Sequence, residues 1–296
     1  MRDELLGLGA VSVSVVACDV ADRGELAGVL GSIPGDRPLA GVVHAAGVLA
    51  DGLVESLSGD EVAAVLRPKV DAALLLDELT AGLDVGLFVL FSSAAGVLGA
   101  PGQGNYAAAN AFLDALAADR RSRGLAGVSV AWGLWERVSG MTGGMGERDV
   151  SRVAGSGLGV LSDEQGLALF DAALGVVESL VFAARVDVGR LRVRAGSGVL
   201  PSVLRGLVRV SSRRVAVSVV ESSALRRRLG SVGEGERRRL LVDLVRSHVA
   251  AVLGHAGAEL VGVDQPFKDI GFDSLTAVEL RNRLGAATGE RLPATL

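Results

Sequence analysis

Val85-Gly86-Leu87-Phe88-Val89-Leu90-Phe91-Ser92-Ser93, together with the loop and helix after it, decides the fold. Val85 to Phe91 is a short apolar run and reads as a buried strand ending in Ser92-Ser93. Gly96 to Gly104, rich in glycine and carrying Pro101, reads as a loop. Tyr106 to Arg121 is dominated by alanine and reads as a helix. The same alternation continues on both sides. Upstream, Val11 to Val16 is a β-branched strand candidate ending in Ala17-Cys18-Asp19-Val20. Glu25 to Leu30 looks helical, Leu39 to His44 is a strand closing on Ala45-Ala46-Gly47, and Asp60 to Leu79 carries helical spacing. Downstream, Val128 to Ala131 and Leu180 to Ala184 are further strands. Strands alternating with helices imply a parallel sheet with helices on both faces.

The expected class is therefore α/β: a Rossmann-like, doubly wound parallel sheet, followed by a small all-α helix bundle. In such sheets ligands bind beyond the C-terminal ends of the strands, where Gly47 and Ser93 fall. The 296 residues are enough for two domains. They divide as 1–208, a linker 209–235, and 236–296. The chain is 49% apolar and 3% aromatic with 41 glycines, which suits helices packed on a sheet. A net charge of −4 favours neither nucleic acid nor a membrane surface. No apolar run reaches the roughly 20 residues needed to span a bilayer. The first residues, Arg2, Asp3 and Glu4, are charged, and no signal peptide is expected. The single cysteine, Cys18, excludes an internal disulfide and fits a reducing cytoplasm. No metal site is expected.

Arg192 to Arg239 holds twelve arginines against three glutamates. It lacks aromatic residues for stacking bases and any recognition motif, so a solvated linker and helix face is the better reading than a nucleic-acid patch. From Glu236 to Leu253 a helix resumes, with Leu240, Leu241, Leu244, Val245 and Val249 on one stripe. A loop to Asp269 and a second helix from Ser274 to Leu284 complete this part of the chain.

Ser93, Tyr106, Asn110 and Lys69 are polar residues among small apolar neighbours. Asn110, four residues beyond Tyr106, shares its helix face. These types suit carbonyl reduction. A hydride adds to the carbonyl carbon and the nascent alkoxide takes a proton. Tyrosine can supply it when a nearby cation lowers its pKa, and a serine hydroxyl can orient the carbonyl oxygen. Taken singly, Tyr106 could be an amphipathic surface residue, Ser93 a strand cap and Lys69 a solvated helix residue. Spacing alone does not choose.

Residues 39 to 140 resemble the ketoreductase domain of modular type I polyketide synthases, a branch of the short-chain dehydrogenases. The resemblance rests on His44-Ala45-Ala46-Gly47-Val48-Leu49, Arg67-Pro68-Lys69-Val70, Phe91-Ser92-Ser93-Ala94-Ala95-Gly96, and the run Pro101 to Leu116 that contains Asn105-Tyr106-Ala107-Ala108-Ala109-Asn110. Trp132-Gly133-Leu134-Trp135 and Gly140-Met141-Thr142 resemble the family's substrate lid. The resemblance implies Tyr106 as proton donor and Ser93 as the ketone's hydrogen-bond partner. Lys69 and Asn110 would complete the network around Tyr106 and the ribose of NADPH. In most short-chain dehydrogenases the residue four after the tyrosine is lysine. Here it is Asn110, with the lysine supplied by Lys69, an exchange these ketoreductases share. The resemblance also sets Asp19 and Val20 against the adenine and Ala45, Ala46 and Gly47 along the cofactor. The family's phosphate loop is not recognisable before Val11, since Leu6-Gly7-Leu8-Gly9 precedes a strand rather than a helix. Weak NADPH binding and an N-terminally incomplete sheet are therefore expected.

One ketoreductase class carries Leu-Asp-Asp after the His-x-Ala-Gly segment, and here the positions read Leu49-Ala50-Asp51. The other class carries a tryptophan eight residues before the tyrosine, where this chain has Leu98. The expectation is the B-type, D-configured alcohol with Asp51 in stereocontrol; a plain turn role for Asp51 stays open. Residues 236 to 296 resemble the acyl carrier protein of the same synthases, through the run Asp264 to Leu284 containing Gly271-Phe272-Asp273-Ser274-Leu275. This implies Ser274 as the attachment site of 4'-phosphopantetheine, with Leu275 and Val278 near the arm and Glu279 and Arg281 facing partners. Asp273 or Ser274 would also cap the helix. The implied partners are carrier-tethered polyketide intermediates, other synthase domains and a phosphopantetheinyl transferase. The carrier bundle is expected to be incomplete at its C-terminus.

Overall fold

The computed structural model describes residues 2–136, 157–196, 200–208, 224–253, 257–272 and 274–293. Strands β1 (Gly41–His44), β2 (Leu87–Ser93), β3 (Val128–Trp132) and β5 (Leu180–Ala183) form one parallel sheet in the order β1-β2-β3-β5. A short antiparallel pair, β4 (Leu158–Gly159) with β6 (Arg185–Val186), lies apart and had no sequence signal. Strand β2 is central, so Phe88, Val89 and Leu90 are buried on both sides. This is why its sequence is continuously apolar instead of alternating.

The helices of this part are α1 (Arg2–Gly7), which buries no residue, α2 (Arg23–Gly31), α3 (Gly59–Leu66), α4 (Ala72–Thr80), α5 (Ala94–Leu98), α6 (Gly104–Ser122), α7 (Asp163–Leu174) and α8 (Val188–Gly196). One core joins Phe88 and Leu90 of β2 to Leu26 of α2, Leu76 of α4 and Leu113 and Leu116 of α6. The opposite core joins Val89 and Val130 to Leu169, Phe170 and Ala173 of α7. Helices therefore cover both faces, as expected of the Rossmann-like class. Caps fix where several helices start. Asp22 accepts from the N–H groups of Gly24 and Glu25, and Ser58 and Glu61 form a reciprocal capping box. Arg120 is buried at the end of α6, where it pairs with Asp77, donates to Ala126 O at 2.8 Å and stacks on Phe88.

Two expectations change. Val11 to Val16 was expected as a strand, but it runs unpaired and mostly exposed. Among the described residues no strand lies beside it, and an extended segment without a neighbour leaves its backbone to water. The helix expected over Asp60 to Leu79 is split by a π-turn at Arg67–Asp71. Pro68 has no N–H for an i−4 bond, and widening one turn accommodates it.

In the C-terminal region, α9 (Glu234–Leu253) and α10 (Ser274–Thr288) pack through Val249, Ala250, Leu253, Leu280 and Leu284, with Val261 and Phe272 from the connection. Leu241, expected on the buried stripe, is 39% exposed. Within the expected linker, residues 224–231 are helical, and Arg226 pairs with Glu290 at 2.6 Å.

Candidate active site

Ser93 is the last residue of β2 and caps α5, its Oγ accepting from the N–H of Ala95 at 3.2 Å. Strand β1 ends at His44, so Ala45, Ala46 and Gly47 leave the sheet at the same C-terminal edge. Tyr106 lies in the first turn of α6, and Asn110 one turn later donates from Nδ2 to Tyr106 O at 2.7 Å. The Asn110 Oδ1 is buried without a hydrogen-bond partner. Gly96 lets α5 approach this turn: a Cβ there would sit 3.1 Å from Asn110 Cβ. Lys69 comes from the π-turn. It is 2% exposed, its Nζ donates to Phe91 O at 2.9 Å, and it lies 5.4 Å from the centroid of the Tyr106 ring. Lys69 is thus an interior residue, not a solvated one. Three elements gather all four residues picked from the sequence.

Burial lowers the Lys69 pKa from 10.5 to about 8, against the opposing charge of Asp114. A nearby cation was expected to lower the tyrosine pKa. The structure gives the opposite net result: burial raises Tyr106, while hydrogen bonds with Ser93 and Asn110 pull it down and Asp51 adds to the rise. A phenol that keeps its proton suits a donor. His44 was given no role from the sequence, yet it is buried beside this cluster. Burial and then the Lys69 charge lower its pKa from 6.5 to about 4, with a backbone hydrogen bond at Pro68 opposing, so it is neutral. Its Nε2 has no partner. A histidine closing an apolar strand was the available signal.

Asp51 accepts from Gln103 Nε2 at 3.0 Å, which sets it beside the start of α6. Asp19 accepts from the N–H of Ala21 at 2.9 Å and pairs with Arg67 at 2.9 Å, which brings the Asp19-Val20 turn to the π-turn. Trp132, paired with Ser93 in the sheet, packs on Phe91 and Trp135 with its Nε1 unpartnered. Gly140-Met141-Thr142 and Asp273 lie outside the described residues. Ser274 is the first residue of α10. Nearby, Glu279 pairs with Arg283 at 2.9 Å.

Two family models match the chain: the KR domain over residues 2–137 and the phosphopantetheine attachment site over 243–296. The chain is 52% identical over 296 residues to polyketide synthase GfsB of Streptomyces halstedii, covering 98% of this chain and 5% of that protein. It is also 52% identical to the spectinabilin polyketide synthase system protein NorB of Streptomyces orinoci, covering 100% of this chain and 14% of that one. The chain belongs to the modular polyketide synthases. It carries their ketoreductase domain followed by their phosphopantetheine site. Among solved structures, an A-type ketoreductase from a modular polyketide synthase is 43% identical with a TM-score of 0.60, over 64% of this chain and 39% of that one. A C2-type ketoreductase is 35% identical with a TM-score of 0.60, over 69% and 42%. The ketoreductase thus accounts for the parallel sheet and its covering helices, and the carrier for the helices at the C-terminus. No helix among the described residues is long and apolar enough to cross a membrane.

Proposed function

We propose that this chain is the reducing and carrying part of a polyketide synthase that acts in the cytoplasm. It would convert a carrier-bound β-ketoacyl thioester to the β-hydroxyacyl thioester with NADPH, giving the B-type, D-configured alcohol. Residues 1–208 would serve the reduction and 236–296 the tethering. The observation that carries this reading is the burial of Lys69 against Phe91 O and the Tyr106 ring, because a buried cation without a job is costly.

NADPH would supply the hydride. Its nicotinamide end fits the strand-end cluster: the unpartnered Asn110 Oδ1 can accept from a ribose hydroxyl, and Ala45 to Gly47 offer backbone. The adenine end fits less well, since the carboxylate of Asp19 is already engaged by Arg67. Ser93 Oγ would hydrogen-bond the ketone oxygen, and the Tyr106 O–H would pass its proton to the forming alkoxide. Lys69, over the ring, would steady the phenolate left behind. NADPH oxidation with a β-ketoacyl thioester tests this. Tyr106→Phe should lower the rate at least about a hundredfold with the fold intact. A Tyr106→Phe protein of full activity would end the reading.

The B-type assignment rests on Asp51 beside α6 and on Leu98, which packs against Leu191, Leu200 and Leu204 where the other class has tryptophan. Chiral separation of the alcohol decides it, an L-configured product being the contrary result.

Ser274 would accept the phosphopantetheinyl group from coenzyme A through a phosphopantetheinyl transferase: its Oγ would bond the phosphorus next to the pantetheine as the pyrophosphate bond breaks, with adenosine 3',5'-bisphosphate leaving and the hydroxyl proton passing to a base of the transferase. Its place at the start of a helix of 15 residues favours the added phosphodiester. The intact mass should rise by one phosphopantetheinyl group, and Ser274→Ala should abolish the gain. The carrier would present polyketide intermediates to this and other synthase domains.

A second reading is a working carrier beside a reductase fold that is silent in this chain. It is favoured by the unpaired run Val11 to Val16 and by the outer edge of β1, which no strand covers among the described residues. A fluorescence titration separates the two, with absence of NADPH binding pointing to silence.

A further inference from the structure

The loop after β1 is stitched to the start of α6 by hydrogen bonds, and one side chain at that seam makes a bond at each end of its amide. The Gly52 N–H donates to Gly102 O at 2.8 Å, and Gln103 Nε2 donates to Asp51 at 3.0 Å. Next to them lies Asn105, 5% exposed. Its Nδ2 donates to Ala50 O at 2.8 Å, and its Oδ1 accepts from the Tyr106 N–H at 2.8 Å. One planar amide therefore bonds the loop backbone at one end and the tyrosine backbone at the other. Val54 of the same loop lies so close to the helix that a Cβ on Gly104 would sit 2.9 Å from its Cγ2.

The first N–H groups of a helix have no partner within it. Gln103, at the cap position of α6, supplies no side-chain acceptor of its own. Asn105 supplies one from inside the first turn. A buried amide bonded at both ends is expensive to break, because each orphaned group loses water as well as its partner.

We propose that Asn105 is a positioning residue that joins the Leu49 to Gly52 loop and Tyr106 into one unit. Loop wall and phenol then keep a fixed offset, and a ketone reaching the phenol meets the loop in one pose. The coupling stands on the hydrogen bonds alone. Its consequence for product configuration rests on the reduction proposed above.

Amide hydrogen exchange by NMR on the full chain tests the coupling without requiring turnover. Asn105→Ala should speed exchange at Tyr106 and Gly52 by about fivefold to tenfold, as expected for one lost hydrogen bond of ordinary net strength. Asn105→Asp keeps the acceptor for Tyr106 but sets a carboxylate against Ala50 O. It should speed exchange at Gly52 while leaving Tyr106 unchanged, and it decides the matter if the alanine variant does not fold. Val89 and Val130 in the sheet report global stability and should speed up by no more than that same factor. Where the parent reduces a β-ketoacyl thioester, both variants should give a mixture of alcohols in place of one. Unchanged exchange at Gly52 in Asn105→Ala overturns the proposal, as does an Asn105→Asp protein in which Gly52 and Tyr106 speed up alike. A parent that makes no alcohol bears on the reduction reading and leaves the exchange result to decide the coupling.

Discussion

Replacing Lys69 by methionine should stabilise the folded protein at neutral pH while disabling reduction. Burial moves the Lys69 pKa from 10.5 to about 8. The folded-state value is the lower one, so the unfolded chain holds a proton between pH 8 and 10.5 that the folded chain has released. Stability from this group is therefore fully present above about pH 10.5 and is lost as pH falls to about 8. Lowering from 10.5 to about 8 corresponds to about 3 kcal/mol of destabilisation at pH 7. Methionine fills much of the same volume without the charge but forfeits the bond to Phe91 O, about 1 kcal/mol. Lys69→Met should thus be about 2 kcal/mol more stable than the parent at pH 7. The gap should close to about zero near pH 10, where the lysine is neutral in the folded state but still mostly protonated in the unfolded one, so that a remaining cost of about 1 kcal/mol offsets the lost bond. Urea denaturation of both proteins at pH 7, 8, 9 and 10 reads this directly, because other titrating groups cancel in the difference. A gap that stays constant with pH, or a variant less stable at pH 7, refutes the reasoning. The cation would then be solvated or paired in a way the burial does not convey.

Three further outcomes rest on the same geometry. His44 is held near pKa 4 from 6.5, so the unfolded chain gains a proton between pH 6.5 and 4 that the folded chain refuses. The parent should lose about 3 kcal/mol more than His44→Asn on going from pH 7 to 4, by denaturation at each pH. Asp77→Ala leaves buried Arg120 without its counter-charge and should cost about 3–5 kcal/mol; a loss within experimental error would show that Ala126 O and Phe88 suffice to hold it. Gly96→Val pushes α5 from Asn110 and should cost about 1–3 kcal/mol in thermal unfolding, with reduction falling alongside.

Much of the fold was legible because burial on both faces writes itself as an uninterrupted apolar run. Phe88 to Phe91 could only be a central strand, and the alanine-rich helix after it could only pack closely. The run Val11 to Val16 has the same local composition and misled, since β-branched residues make a strand only where a neighbour takes the hydrogen bonds. The π-turn at Arg67–Asp71 was hidden for a related reason. Pro68 announces a disturbance, but whether a helix ends, kinks or widens there depends on what packs beneath it.

Residue types raised Lys69, Ser93, Tyr106 and Asn110 as candidates, the motif resemblance chose them and Ser274, and strand and helix patterns marked the parallel order, because these are properties of short stretches of chain. Only the tertiary structure decided that Lys69 is buried over the Tyr106 ring, that the Tyr106 pKa rises rather than falls, that His44 is neutral, and that Asn105 joins loop to helix. Burial and through-space contact depend on segments far apart in sequence, and no local pattern encodes how much water remains around a charge.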